Sequence, residues 1–386
     1  MSSVLRRRLQ SVPPPDEAGA ERRAWAVVRT AFAEREPVPR QRSFVRPVIV
    51  LAVLGAVIAA ALSPPGRAVL GRIRKAIAPT RIERSAPALF SLPAPGRLLV
   101  ESSAGVWVVH RDGSKRLLRG YRQAAWSPHG RFVVGSSRNR LAALEPDGVV
   151  HWTLARPGVS LPQWGGTRTD TRIAYFTRPP RLLPALRVVA GNGTHDHWVA
   201  KQFLPVAPAW QPGRVGVLAV AHTDGRVRIW ATDTRALLGV SPRGMKPIQL
   251  GWSGDGRQLF ALERHELRVL GPRARPIAAR RLPAGWRATA MAVSPGGGAV
   301  AVSLRRASQS EVLVLQNGRV GRAFAGAGAF SALAWSPDGR WLLIALRDAD
   351  QWVFVGAGGR LSAVSNITEE FRSTRFPTLA GWCCAR

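Results

Sequence analysis

Cysteine is nearly absent from the chain. The 386-residue sequence has two cysteines, Cys383 and Cys384, and they are neighbours. Neighbouring cysteines can bridge each other only through a small, strained ring, so a framework of disulfides is excluded. A closed zinc site takes four ligands, so we do not expect this pair alone to hold a metal. The count neither requires nor excludes an oxidising compartment.

Acidic residues and lysines are also scarce. The sequence has 23 acidic and 56 basic residues, a formal charge of +33, and only four of the basic residues are lysine. Strong basicity is a signal of nucleic-acid binding, but an arginine-heavy, lysine-poor composition is also typical of a GC-rich genome. We interpret the charge as that of a basic surface. The alternative is an anionic partner (a phospholipid, a cell-wall polymer or nucleic acid), with nucleic acid the least favoured.

Motifs of catalysis are missing as well. The sequence has no G-x-S-x-G elbow, P-loop or Rossmann glycine pattern between a strand and a helix. His195-Asp196-His197 could supply two metal ligands, but no matching cluster occurs elsewhere, so we interpret it as a solvated turn. The acidic pairs Glu369-Glu370 and Asp348-Ala349-Asp350 fit polar turns as well as a cation site. We therefore predict no catalytic residue, no metal and no cofactor.

The sequence has one long uncharged apolar run, Pro47 to Leu62. We predict a single transmembrane signal-anchor helix over residues 47–65. Flanking basic segments argue against a buried core helix. A cleaved signal peptide is an alternative because Ala59-Ala60-Ala61 resembles a cleavage site, although the preceding 46 residues are long for such a leader. The excess of cations on the N-terminal side favours a cytoplasmic N-terminus and an extracytoplasmic remainder.

The segments on either side of this run carry their own patterns. Residues 1–46 are basic, and Trp25, Val28 and Phe32 follow the spacing of one helix face. This short amphipathic helix is either solvated, or on the membrane surface, or a docking face for a cytoplasmic partner. Residues 66–96 form a predicted juxtamembrane linker. Within it Arg67–Ala78 is either an interfacial helix on anionic lipid or a solvated linker helix.

From Arg97 onward, short strands alternate with turns, and one pattern recurs. Its best copy is Ala334-Trp335-Ser336-Pro337-Asp338-Gly339-Arg340, a strand that ends in tryptophan and a tight turn. Spacings of 38 to 47 residues separate the copies, and such a period is typical of propeller arrays. The seven repeat anchors are Trp126, Trp164, Trp210, Trp252, Val293, Trp335 and Trp382.

We divide residues 97–386 into seven sets of four strands, each set ending at an anchor. The Asp-Gly and Asn-Gly pairs at 112–113, 147–148, 192–193 and 317–318 indicate hairpins between the second and third strands of a set. The pattern predicts an all-β, seven-bladed β-propeller, with six or eight blades as alternatives. The anchors are expected to be structural, filling space between blades.

The repeats over residues 97–386, and the Trp-Ser-Pro-Asp-Gly stretch at 335–339 in particular, resemble WD40-like repeats of the TolB type. The resemblance implies a propeller fold and, loosely, partner binding. The chain departs from that family in lacking a preceding α/β domain, in its apparent anchor, and in having seven strand sets where the TolB propeller has six blades. The resemblance therefore assigns no functional residue.

Three hypotheses of function follow. The leading one is a membrane-anchored extracytoplasmic propeller that binds a protein or an envelope polymer without catalysis. The second is a single-span regulator, similar in layout to anti-sigma factors, with a sensing propeller and a cytoplasmic docking helix. The third is an enzyme with its site in the propeller channel. A fold alone does not name a ligand; the basic loops 178–184 and 305–310 and the acidic loop 347–351 are candidate binding surfaces.

Overall fold

The computed structural model describes residues 91–178 and 184–384. The predicted segments 1–46 and 47–65, with Trp25, Val28 and Phe32, lie outside the described residues. Within the described part of the chain, no helix is long and apolar enough to cross a membrane. The end of the predicted linker packs on the domain that follows it, since Leu92 and Ala94 are buried there.

The described residues form seven four-stranded antiparallel sheets, the blades. Blade 1 contains β1 (Arg97–Ser102), β2 (Gly105–Val109) and β3 (Lys115–Leu118), and blade 2 contains β4 (Gln123–Trp126), β5 (Val133–Ser137), β6 (Arg140–Leu144) and β7 (Val150–Ala155). Blade 3 contains β8 (Ser160–Gly166), β9 (Thr171–Thr177), β10 (Ala185–Ala190) and β11 (His197–Lys201). Blade 4 contains β12 (Ala209–Trp210), β13 (Val217–His222), β14 (Arg226–Ala231) and β15 (Ala236–Val240).

Blade 5 contains β16 (Gln249–Trp252), β17 (Leu259–Leu262), β18 (Glu266–Leu270) and β19 (Pro276–Arg281). Blade 6 contains β20 (Arg287–Val293), β21 (Ala299–Arg306), β22 (Gln309–Gln316) and β23 (Arg319–Ala327). Blade 7 contains β24 (Phe330–Trp335), β25 (Trp341–Leu346), β26 (Gln351–Gly356) and β27 (Leu361–Ser365). The last strand, β28 (Thr378–Cys383), completes blade 1 by pairing with β1. A 3₁₀ turn (Ala357–Gly359) lies between β26 and β27, and a one-turn helix α1 (Ile367–Glu370) lies in the connection from β27 to β28. The predicted all-β, seven-bladed propeller is confirmed.

The predicted grouping of the strands is wrong by one strand. The anchor strand does not close a blade but begins one: β4 pairs with β5, and no pairing joins it to β3. The reason lies in the turn after the anchor, which is too tight for its two strands to belong to different sheets. The longer connection, from the outermost strand to the next anchor strand, therefore crosses between blades.

The tight turn is held by a serine hydroxyl and a glycine. In blade 7 the hydroxyl of Ser336 accepts the backbone N–H of Trp341 at 2.9 Å and donates to Asp338 at 2.5 Å. Gly339 has φ +67°, which favours glycine. The same serine-to-backbone bond and left-handed glycine recur in blades 2, 5 and 6, with Ser127, Ser253 and Ser294 and with Gly130, Gly256 and Gly297.

Three of the anchor tryptophans tie their innermost strand to the innermost strand before it. The indole Nε1 of Trp252 donates to the backbone oxygen of Ala209 at 3.0 Å, and Ala209 directly precedes the anchor of the previous blade. Trp210 and Trp335 repeat this bond with Gln163 and Ala292, at 2.9 and 3.1 Å. These bonds are interblade contacts at equivalent positions.

Blade 1 uses a different acceptor, because Trp382 donates to the backbone oxygen of Pro95 at 3.1 Å. The indole nitrogens of Trp126 and Trp164 are buried and have no hydrogen-bond partner among the described residues. Both rings still fill space between sheets: Trp126 packs with Leu99 of blade 1 and Leu144 of blade 2. Val293 contributes to the corresponding cluster between blades 5 and 6.

Polar side chains link the other ends of the innermost strands in the forward direction. The amide of Gln249 exchanges two hydrogen bonds with the backbone of Met291 in the next blade, at 2.8 and 2.7 Å. Gln123 accepts the N–H of Leu161 at 2.8 Å, again across a blade boundary. The glutamines thus join two of the blade boundaries that have no indole hydrogen bond, the one between blades 2 and 3 and the one between blades 5 and 6.

We predict that Trp252→Phe lowers the free energy of unfolding by about 1 kcal/mol more than Trp164→Phe. Both changes remove similar ring area, but only the first deletes a hydrogen bond and leaves the Ala209 carbonyl without its donor. Urea denaturation of the two variants and the parent protein measures the difference. Equal losses would show that the indole bond contributes nothing beyond packing.

Candidate functional site

The two ends of the propeller differ in their connections. The tight turns that follow the anchors, such as 127–130 and 336–339, lie on one end, which we call the turn face. The connections between blades, such as 156–159 and 202–205, lie on the opposite end, which we call the loop face. This division follows from the antiparallel order of the strands in each blade.

The sequence-predicted anchors lie in the ring of innermost strands. Four of them, Trp126, Trp164, Trp252 and Trp382, expose 6 to 9% of their surface, and their rings contact neighbouring blades. Trp164 also lines a cleft on the turn face. A ligand-binding surface therefore has to be built mainly by residues that the repeats do not share.

The segment His195-Asp196-His197 binds arginine within the fold. The Asp196 carboxylate is 6% exposed and accepts from Arg156 of blade 2 at 2.6 Å, Arg187 at 2.5 Å and the Tyr175 hydroxyl at 2.5 Å. The interpretation as a solvated turn is thus wrong for Asp196. Burial opposes its ionisation, but the two guanidinium groups and the hydroxyl hold its pKa below the usual range.

Three of the four other acidic candidates also have partners in the fold. Asp350 accepts the backbone N–H of Thr368 at 2.9 Å, and Glu370 pairs with Lys115 of blade 1. Asp348 accepts the N–H of Ala329 at 2.9 Å. Among residues 91–178 and 184–384, no three His, Cys, Asp or Glu residues come together as a possible metal site. Cys383 and Cys384 are bonded to each other.

A cleft of about 680 Å³ opens on the loop face between blades 2, 3 and 4. Three arginines, Arg122, Arg138 and Arg178, line it, and its lining contains no carboxylate. Four hydroxyl-bearing residues, Ser136, Ser137, Ser160 and Thr177, and an apolar wall of Phe176, Phe203, Val159 and Leu161 complete it. We call it the loop-face cleft. Arg178 belongs to one of the basic loops that the sequence indicated, whereas Arg122 and Arg138 do not.

The three guanidinium groups of the loop-face cleft are not neutralised by the fold. None of them forms an ion pair with a carboxylate of the described residues, in contrast to Arg156, Arg172 and Arg187 on the same blades.

The backbones of the three arginines that line the loop-face cleft are held by hydrogen bonds. The N–H groups of Arg122 and Arg178 donate to Ser136 and Gly158, and the Arg138 carbonyl accepts from Val159, at 2.7 to 3.2 Å. The backbone of each arginine is therefore held by the fold, and its charge is available to a ligand.

A buried carboxyl group lies beside this cleft. Glu101, at the end of β1, accepts the backbone N–H of Ala124 at 2.9 Å, one residue after the cleft-lining Gln123. Burial raises the pKa of Glu101 to about 7, against a smaller lowering by the Ala124 hydrogen bond. Carboxyl groups with such a pKa are frequent at functional sites, but this one serves the contact between blades 1 and 2.

We predict that stability falls as the pH rises because of Glu101. The folded protein holds this proton more tightly than the unfolded chain, whose glutamate has a pKa near 4.5. The stabilising contribution is therefore complete below about pH 4.5 and is lost as the pH rises through 7, up to about 3 kcal/mol.

Glu101→Gln removes the titration and keeps an acceptor for Ala124. It should match the parent near pH 4.5 and unfold at a higher temperature near pH 8, whereas Glu369→Gln, at an exposed position, should not. Thermal denaturation at several pH values checks this. A pH dependence unchanged by Glu101→Gln would contradict it.

No family model matches the chain, and no curated protein matches it by sequence. The part of the resemblance to TolB-type repeats that is confirmed is the propeller fold. Among solved structures, the chain is similar to a functionally unknown protein from Desulfotomaculum acetoxidans. The TM-score is 0.56 at 14% identity, over 75% of this chain and 99% of that one.

A second similar structure is the periplasmic gluconolactonase of Pseudomonas aeruginosa. Its TM-score is 0.51 at 17% identity, over 70% of this chain and 96% of that one. Identities this low show a common propeller fold alone. The described chain is a seven-bladed β-propeller whose function has to be argued from its own surface.

Proposed function

We propose that the protein is a non-catalytic binding module that holds an anionic envelope polymer in its loop-face cleft. In this proposal residues 47–65 anchor the chain in a membrane and the propeller lies outside the cytoplasm. The observation that carries the proposal is the set of three arginines, Arg122, Arg138 and Arg178, which meet at one cleft without a carboxylate.

The chemistry of the cleft suits phosphate or carboxylate groups. A guanidinium group offers paired N–H donors that match the oxygens of either anion, and it keeps its charge at all physiological pH values. The neighbouring hydroxyls of Ser136, Ser160 and Thr177 add neutral donors. Apolar residues such as Phe176 and Leu161 can cover the carbon skeleton between charged groups.

A polymer is favoured over a single small anion by the surroundings of the cleft. The loop face carries further exposed arginines in blades 5 and 6, among them Arg264, Arg287 and Arg306. Basic groups around the rim of one face can contact successive anionic groups of one polymer chain. Because these contacts are linked through the same chain, they raise the overall affinity. Acidic residues on the same face are themselves paired with arginine, Glu263 with Arg268 and Asp348 with Arg305.

We predict that the protein binds poly(glycerol phosphate) and that the triple variant Arg122→Gln/Arg138→Gln/Arg178→Gln binds it on the order of 100-fold less tightly. Losing several charge-assisted hydrogen bonds has about this effect. Isothermal titration at fixed salt measures it, with neutral dextran as the control polymer.

A matched control variant removes the same charge elsewhere. Arg257→Gln/Arg340→Gln/Arg319→Gln changes three exposed arginines that do not line the cleft. Similar losses in the two triple variants would mean that the polymer responds only to net charge, and would contradict a site at the cleft.

The topology gives a separate prediction. Alkaline phosphatase, which is active only outside the cytoplasm, should be active when fused after the propeller and inactive when fused before residue 1. The physical reason is the excess of cations on the N-terminal side of the apolar run. The opposite result would place the propeller in the cytoplasm and remove an envelope polymer as its partner.

A further inference from the structure

A second cleft, of about 1040 Å³, opens on the turn face between blades 2 and 3. We call it the turn-face cleft. Its lining differs in kind from that of the loop-face cleft, because it combines aromatic rings with cations. The rings are Phe132, His151, Trp152 and Trp164, and the cations are Arg131 and Arg168. Thr167, Thr169, Thr171 and Asn192 add polar groups.

The aromatic residues form an ordered wall. The rings of Phe132 of blade 2 and Trp164 of blade 3 stack, with centroids 6.0 Å apart and planes 13° apart. His151 meets Phe132 edge-on at 4.9 Å, and the Arg131 guanidinium lies over Phe132 at 5.1 Å. The wall therefore crosses the blade boundary and carries a positive charge at one end.

Blade 2 departs from the repeat at this cleft. In blades 5 and 7 the turn contains an aspartate, Asp255 or Asp338, which accepts from the turn serine at 2.5 Å. Blade 2 has His129 at the same position, and His129 lines the cleft. The substitution removes a carboxylate at the one copy of this turn that faces the aromatic wall.

Blade 3 departs from the repeat on the opposite side of the cleft. The serine-containing turn is replaced there by the segment 167–171, which supplies three threonines and Arg168. The acidic group in this segment, Asp170, pairs with Arg172 and does not line the cleft. Two unrelated departures from the repeat thus face each other, and both exclude negative charge from the space between them.

The residues around the edge of the cleft also bring no carboxylate into its lining. Glu145 pairs with His151 at 3.0 Å at the rim and is not part of the lining. Cys384, bonded to Cys383, closes the inner edge, and its sulfur lies 3.8 Å from the Pro128 carbonyl. No carboxylate of the described residues lines this cleft.

We propose that the turn-face cleft binds a short acidic oligosaccharide. The sugar rings would lie against Phe132 and the neighbouring aromatic wall, and the acid groups would meet Arg131 and Arg168. Hydroxyls would bond Thr169 and Asn192. The volume favours more than one sugar unit, because sites of 300 to about 1,000 Å³ hold ligands of drug size. Two arginines on different blades favour more than one acid group. This site is independent of the loop-face cleft.

Trigalacturonate is the acidic probe, and the full-length protein in detergent is titrated with it by calorimetry. Neutral maltotriose tests the need for charge, and inorganic phosphate tests the need for a ring. We expect trigalacturonate to bind at least tenfold more tightly than either of the other probes. Equal binding of maltotriose, or binding of phosphate as tight as that of trigalacturonate, would overturn the proposal.

Substitutions of the two arginines of the cleft test where the ligand binds. Arg131→Gln and Arg168→Gln should each weaken trigalacturonate binding about tenfold, as expected for one lost charged hydrogen bond. Arg257→Gln is the matched control, because Arg257 has the same position in the blade 5 turn and its side chain is 85% exposed. A loss in the control equal to that in Arg131→Gln would refute a site at this cleft.

His129→Asp gives a test that does not depend on a damaged fold. The variant restores the aspartate of the repeat, which blades 5 and 7 accommodate with the same serine. It should therefore stay folded, with an unchanged melting temperature, and lose trigalacturonate binding by about tenfold through charge repulsion. The loop-face triple variant should keep this binding. Unchanged binding in His129→Asp would contradict the proposed role of the departure.

Discussion

The contact between one innermost strand and the next is the constraint on which the structure depends. A four-stranded sheet has two apolar faces and is not stable alone, so each blade needs a neighbour on both sides. The indole of Trp252 meets this need by packing and by a hydrogen bond to the strand before it. Because equivalent bonds recur at Trp210 and Trp335, blade positions are fixed around the ring. The clefts exist where the loops of such fixed blades diverge.

The fold could be predicted from the sequence because the repeat states the same local chemistry several times. Serine, glycine and an anchor residue recur at one spacing, so the prediction of the fold did not depend on any single copy of the repeat. The grouping of strands was wrong because a period shows the length of a repeat but not where a blade begins. That boundary is set by pairing, and the tight turn between Trp126 and Val133 decides it.

The candidate sites were much less visible in the sequence. Arg178 lies in a basic loop that the sequence indicated, but Arg122 and Arg138 look like any of the chain's other arginines. Only the folded structure shows that these three have no carboxylate partner among the described residues, while Arg187 has one. Asp196 was misjudged for the same reason, since its partners come from distant strands. A second signal was His129, which stands where blades 5 and 7 have aspartate and which lines the turn-face cleft.

The closure of blade 1 has a consequence for how the protein is made. β1 is synthesised before the other strands of the propeller, yet its partner β28 is about 280 residues later in the sequence. Until then blade 1 has three strands and an open edge, and open edges invite pairing with other chains. Contacts so distant in sequence also form slowly. The first blade of the propeller is therefore completed last. Its edge stays open to pairing with other chains until β28 has been synthesised.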